Sequence, residues 1–221
     1  MTTDDELRPI VVTLYGLTFV TGMIDAVSYL GLGRVFTANM TGNVVFVGFA
    51  LGGAADISIV RPSIALAAFA AGSIAGGRMV NFHTRTGAQH LLRAMSMEIA
   101  FISAAALATL KMEVTGLNLV IVLTAMAMGL RNAVVRKLAV PDFTTTVLTM
   151  ALTAVAADSR LSGGTAIRQG RRVLMIAMMG TGALIGTVVL RSLGTLAAFL
   201  SAAGVVALLA WRLWMRTART A

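Results

Sequence analysis

The stretch GMIDAVSYLGLGRVFTANMTGN, residues 22–43, decides the fold because it combines features that an ordinary membrane helix does not have. An aspartate, Asp25, lies inside an apolar run that is long enough to enter a bilayer. Glycines, threonines and asparagines follow it, and these residues favour turns and loops. A charged side chain beside a predicted loop, both within a membrane segment, indicates a site of binding or of specific packing.

The rest of the chain has the composition of an integral membrane protein. Of its 221 residues, 57% are hydrophobic and 12% are charged, and the mean hydropathy is +0.86. Soluble domains carry about twice as many charged residues. The net charge of +9 comes mainly from Lys and Arg at the ends of apolar blocks, where such residues mark topology, so we expect no nucleic-acid partner. The absence of cysteine excludes disulfides and thiolate chemistry.

Eight apolar blocks follow one another with short polar gaps between them. They are Ile10 to Gly31, Thr41 to Ala54, Pro62 to Val80, Leu91 to Leu110, Leu117 to Val135, Thr144 to Ala157, Val173 to Leu190 and Leu193 to Leu213. Six are long enough to cross roughly 30 Å of hydrocarbon as helices, whereas the second and sixth would reach only about 20 Å. The short blocks occupy matching places in the two halves, which predicts an internal repeat.

A weak sequence repeat accompanies this pattern of block lengths. Shifting the chain by 107 residues aligns Gly22 to Val27 with Gly129 to Val134 and sets Asp25 opposite Asn132. We interpret the chain as a single membrane domain over 1–221, with repeat one at about 10–110 and repeat two at about 117–214.

Charge counting separates two topologies. If all eight blocks cross, 10 Lys and Arg residues lie inside and 8 outside. If the two short blocks enter and leave on one side, 14 lie inside and only Arg34, Arg61, Lys111 and Arg191 lie outside. The positive-inside rule favours the second arrangement. It predicts an all-α integral membrane protein with six transmembrane helices plus two short re-entrant or half helices, as two inverted repeats, with both termini cytoplasmic.

Inverted repeats with short helices at matching points are typical of secondary transporters. The amino ends of the half-helices would meet near the middle of the membrane, where free N–H groups attract polar or anionic ligands. The candidate substrate-binding residues are Asp25, Asn39, Thr41, Gly42, Asn43, Arg131, Asn132, Thr145 and Thr149. Gly42 would let the backbone approach a ligand closely. For each threonine, a hydrogen bond to its own helix is an equally good interpretation.

The charged residues leave alternatives open. Asp25 is either a proton or cation coupling group or a static partner, for example of Arg131. Arg131 either holds an anionic solute or extends to the inner interface. We expect Glu98 to reach the cytoplasmic surface, and His83 and His90 to be surface residues.

The leading hypothesis is a small secondary transporter for a small polar or anionic solute. A channel-like facilitator and a non-transporting structural or regulatory membrane protein are the alternatives. An enzyme is not expected, because neither histidine lies inside an apolar block and no GxSG motif occurs. We expect no cofactor and no metal site. Besides the solute and the surrounding lipid, a homodimer would suit so small a chain with glycine-lined helices.

Two segments carry a resemblance to a known family: GMIDAVSYLGLGRVFTANMTGN at 22–43 and GLRNAVVRKLAVPDFTTTVLT at 129–149. Together they resemble the YoaK-like family of small bacterial multi-pass membrane proteins, a domain of unknown function. The resemblance covers nearly the whole chain. It implies a six-helix protein of the bacterial cytoplasmic membrane and supplies no substrate.

Overall fold

The helical content is that of an all-α membrane protein. A computed structural model describes residues 4–110, 114–140, 147–166 and 168–218, and within these ranges the chain forms seven α-helices and no strand. The helices are α1 (Asp4–Gly31), α2 (Met40–Leu51), α3 (Val60–Asn81), α4 (Gly87–Ala108), α5 (Val114–Leu138), α6 (Val147–Ala157) and α7 (Gln169–Thr217). Five are long and apolar enough to cross a membrane, whereas α2 and α6 have only 12 and 11 residues.

The longest helix, α7, is two helices joined at a glycine. Its 49 residues would extend over about 74 Å, more than twice the hydrocarbon thickness. Gly194 interrupts it with φ 86° and ψ 176°, a conformation that is essentially restricted to glycine. Both Leu190 and Thr195 lie beside Gly31 at the end of α1, whereas Leu209 packs against Gly16, about halfway along α1. The second arm of α7 therefore runs back along α1.

The segment between α1 and α3 begins and ends on one side of the bundle. After α1 ends, the backbone N–H of Ala38 donates to Asp25, which lies about 9 Å back along α1 from its end. The chain has therefore turned back beside the helix that it has just left. After α2, the chain reaches Arg61 at the start of α3, whose guanidinium packs against Gly33, just beyond the end of α1. Consequently α3 runs opposite to α1.

Glycines allow very close contacts between helices in both halves of the chain. Gly22 of α1 packs on the carbonyl oxygen of Met179 in α7, so a Cβ there would overlap that oxygen. Gly129 of α5 packs in the same way on Phe69 of α3. The two contacts correspond in sequence number: a shift of 107 residues relates Gly22 in α1 to Gly129 in α5, and a shift of 110 relates Phe69 in α3 to Met179 in α7.

Two further glycine contacts repeat with the same shifts. Gly72 packs on the carbonyl oxygen of Met126, and Gly182 on that of Phe19. Gly76 lies against Leu130, and Gly186 against Met23. These contacts also make α3 parallel to α5, since later glycines meet later residues. Because α3 runs opposite to α1, α5 does so as well.

The core fills the space between α1, α4, α5 and α7 with large apolar side chains. Fully buried examples are Met23, Ile24, Leu91, Met95, Ile121, Met128 and Phe199. Helix α4 begins at Gly87, four residues before the apolar block, because Thr86 and Gln89 form a capping box. Its hydrophobic face then carries one acidic side chain, Glu98, into this core.

Candidate functional site

Asp25 anchors the loop that follows α1. Its Oδ1 accepts hydrogen bonds from the backbone N–H groups of Thr37 at 3.2 Å and Ala38 at 2.9 Å. The side chain is only 6% exposed, so these charge-assisted bonds form where water competes little. The carboxylate of α1 therefore holds the turning point of the loop inside the bundle.

Asn43 fixes the other side of the same loop. Its Oδ1 accepts from the backbone N–H of Phe36 at 3.0 Å, and its Nδ2 donates to the carbonyl oxygen of Phe36 at 2.6 Å. The Phe36 ring stacks between Tyr29 and Phe46, with centroid distances of 5.0 and 5.8 Å. It also covers Gly42, where a Cβ would lie 2.7 Å from the ring. In this structure Asn43 and Gly42 shape the loop, and their contact with a solute stays a prediction.

The start of α2 offers open polar groups. Asn39 is the N-cap residue but makes no side-chain capping bond, and both Asn39 and Thr41 are exposed. The first N–H groups of α2 and these two side chains are therefore available to a ligand. They lie directly after the two backbone groups that Asp25 binds.

Arg131 lies in a buried ionic cluster. Its Nη1 donates to Glu98 Oε1 at 2.7 Å, and its Nη2 donates to Thr21 Oγ1 at 2.5 Å and contacts Met128 Sδ at 3.2 Å. Arg131 is 2% exposed and Glu98 0%. Asp25 lies within electrostatic range of the same guanidinium but is not bonded to it. The cluster thus joins α1, α4 and α5.

The expectation that Glu98 reaches the surface was wrong. Glu98 lies halfway along α4, so about 16 Å of helix separates it from either end. The apolar block begins at Leu91, but the helix begins one turn earlier at Gly87, so Glu98 lies deeper than the block alone indicates. The sequence signal for the earlier start is the capping box at Thr86 and Gln89. His90 was also misplaced, since it is 4% exposed.

The cluster contains more acid than base. Asp25 and Glu98 share one cation, Arg131, so full ionisation would leave one net negative charge in this cluster. An uncompensated buried charge is costly in a membrane protein. Two polar atoms, Oε2 of Glu98 in the cluster and Oγ1 of Thr37, whose backbone N–H bonds to Asp25, are buried and have no hydrogen-bond partner in the described parts of the chain. The cluster can therefore accept further polar contacts.

The structure describes only part of the predicted second half-site. Asn132, which the predicted repeat sets opposite Asp25, has both side-chain polar atoms buried without a partner among the described residues. Thr145 lies outside the described residues. Thr149 is exposed on α6, and its carbonyl accepts from Thr153 in the next turn. Since α2 packs on α3 and α6 on α7, the two short helices rest on different long helices.

The comparisons with known proteins agree with the membrane character of the chain. Residues 13–211 match the model of a family described as Protein of unknown function (DUF1275). The chain is also 31% identical over 148 residues to the UPF0700 transmembrane protein YoaK of Bacillus subtilis (strain 168), an alignment that covers 66% of this chain and 66% of that protein. No solved structure matches. The predicted resemblance is confirmed, and the chain belongs to the DUF1275 family.

Proposed function

We propose that the protein is a small secondary transporter that moves a small polar or anionic solute across the bacterial cytoplasmic membrane, and that it is not an enzyme. The observation that carries the proposal is the buried cluster of Asp25, Arg131 and Glu98 beside the open amino end of α2. Ionisable groups at membrane depth are costly and commonly mark solute or proton pathways.

The proposed architecture has six crossings and two re-entrant segments, arranged as inverted repeats. The contact between Gly33 and Arg61 supports re-entry of α2, because a full crossing would place the start of α3 at the opposite end. The fold-back of α7 at Gly194 supports two crossings within this helix. The repeated glycine contacts and the opposite directions of α1 and α5 support the inverted relation between the halves.

The proposed orientation places both termini in the cytoplasm. The second arm of α7 passes from Thr195 beside Gly31 to Leu209 beside Gly16, so it runs toward the end of the bundle where α1 begins. The excess of Lys and Arg predicted for the inner side supports the choice of that end as cytoplasmic.

Coupling to protons follows from the charges of the cluster. When Glu98 is ionised, it neutralises Arg131. When Glu98 takes up a proton, the guanidinium loses this partner and becomes able to hold an anionic solute. Proton and anion would then bind together, which is the linkage that a symporter needs. Asp25 would keep the loop in place and share the proton.

A non-transporting packing protein is the second candidate, and one observation favours it. Both outer nitrogens of Arg131 and both amide atoms of Asn43 already have protein partners, as expected of groups that only hold helices and a loop together. This candidate predicts that substitutions in the cluster change stability and leave no effect on flux.

Flux into proteoliposomes tests the proposal. Small anions and neutral metabolites would be screened with and without an inward proton gradient, using wild type, Asp25→Asn, Glu98→Gln and Thr41→Ala. Asp56→Asn, a change of an exposed loop carboxylate, is the matched control. We expect proton-driven uptake of at least one anion by wild type and the control, and its loss in the Asp25 and Glu98 variants. If folded wild type moves none of the solutes, the transporter proposal fails.

A further inference from the structure

A second polar site lies at the end of the bundle where α3 and α5 end and α4 begins. A cavity of about 270 Å³ opens there, lined among others by His83, Arg85, Gly87, His90 and Lys137. No acidic residue lines it. Its cationic side chains come from the α3–α4 loop and from α5, which otherwise belong to separate parts of the chain.

The amino end of α4 supplies further donors. The capping box occupies the N–H of Gln89, and the N–H of His90 bonds to the Thr86 carbonyl at 3.1 Å. The N–H groups of Gly87 and Ala88 have no acceptor among the described residues. Free N–H groups at the positive end of a helix dipole, together with Arg and Lys, are the donors that bind phosphoryl groups.

An independent observation at His90 also points to a ligand. This side chain lines the cavity, is only 4% exposed, and its Nδ1 has no hydrogen-bond partner in the described parts of the chain. A buried polar atom without a partner costs free energy, so a residue that serves only packing would favour an apolar side chain here.

From this combination we propose that the cavity binds a phosphoryl anion, either free phosphate or the phosphate of an anionic lipid headgroup. A volume of about 270 Å³ suits one small anion and is below the usual range of roughly 300–1,000 Å³ for larger ligands. Arg85 and Lys137 neutralise the anion, the start of α4 donates backbone N–H groups, and the His90 side chain lines the site.

Binding by purified full-length protein tests this site independently of any transport. Inorganic phosphate would be titrated at constant ionic strength with thermal unfolding as the readout, and native mass spectrometry would score retained phosphatidylglycerol against phosphatidylcholine. Saturable stabilisation by phosphate identifies a free-anion site. Selective retention of phosphatidylglycerol that phosphate cannot displace identifies a headgroup site. Absence of both effects overturns the proposal.

Substitutions distinguish a built site from general surface charge. Arg85→Ala with Lys137→Ala should weaken binding by about ten-fold or more, because charge-assisted bonds are lost. Both residues are exposed, so the variant should fold. Arg136→Ala is the matched control: it removes an equally exposed cation next to Lys137 that does not line the cavity, and binding should change less than two-fold. His90→Gln should also weaken binding. If Arg136→Ala weakens binding as much as Lys137→Ala alone, the proposed site is wrong.

Discussion

The buried pair between Arg131 and Glu98 gives the sharpest prediction about stability. The perturbation is a double-mutant cycle with Glu98→Leu, Arg131→Met and the combined variant. Each single change leaves a buried charged group without its bonded partner, whereas the combined change replaces both by apolar side chains of similar length. The strength of the interaction then appears as the departure from additivity.

The expected magnitude follows from burial and distance. The two side chains are 2% and 0% exposed and their charged atoms are 2.7 Å apart. Removing one partner of such a pair costs about 3–5 kcal/mol, whereas replacing both by packed apolar groups is often nearly neutral. Neutral hydrogen bonds between membrane helices contribute only about 0.6 kcal/mol on average. We therefore expect a coupling of about 3 kcal/mol, with Arg131→Met as the most destabilising variant because it leaves two acids without a cation.

The chain contains a matched control for this cycle. Arg172 and Asp158 form an ion pair of 2.6 Å, but the side chains are 16% and 51% exposed. The same cycle there should give about 1 kcal/mol or less. Unfolding in mixed detergent and dodecyl sulfate, followed by circular dichroism, measures both cycles. If the effects of the Arg131 and Glu98 substitutions on the free energy of unfolding add within about 0.5 kcal/mol, the two side chains are not strongly coupled and the prediction is wrong.

Three further predictions concern the loop and the helix contacts. The free energy of unfolding of Asp25→Asn should lie within about 1 kcal/mol of the wild-type value, since an amide oxygen can still accept hydrogen bonds from Thr37 and Ala38. The same variant should lose proton-driven uptake. Retained uptake would exclude Asp25 from coupling. Asn43→Leu leaves the backbone N–H and C=O of Phe36 without partners, at a cost of about 1–3 kcal/mol each, so the loop should open more often. A cysteine introduced at Thr37 should then become reactive to maleimide. The neighbouring substitution Val44→Leu is the control and should leave this cysteine protected. Gly76→Ala should destabilise the protein because the added Cβ would overlap the Leu130 carbonyl. Gly77→Ala should be tolerated, since a Cβ there would meet no atom within 4 Å apart from its own stretch of helix. Equal unfolding midpoints for the two variants would contradict this packing.

The sequence predicts the long helices and the short α2 well because hydropathy and length determine them. The second apolar block, Thr41 to Ala54, corresponds closely to α2 at Met40–Leu51. The break in α7 was also predictable, since Arg191 separates two apolar blocks and Gly194 lies three residues after it. These features depend on local composition, and no distant contact is needed to infer them.

The partners of the buried charges could not be predicted in the same way. The Arg131 and Glu98 side chains meet only because α4 packs against α5, and nothing local in either helix specifies that contact. The sequence identified Arg131 as a site candidate but offered Asp25 as its partner. Likewise, Asn43 was selected for a solute, whereas the structure turns both of its amide atoms toward Phe36, seven residues earlier. Side-chain direction within a loop depends on backbone geometry that composition does not encode.

The central claim, that two inverted halves meet at the buried cluster, is tested most directly by sided labelling. The natural chain has no cysteine, so Arg34→Cys and Arg136→Cys each provide one reactive thiol at an exposed position. In intact bacterial cells, an impermeant maleimide should label Arg34→Cys, and it should label Arg136→Cys only after the membrane is permeabilised. Labelling of both from the same side would contradict the inverted repeat and the solute pathway built on it.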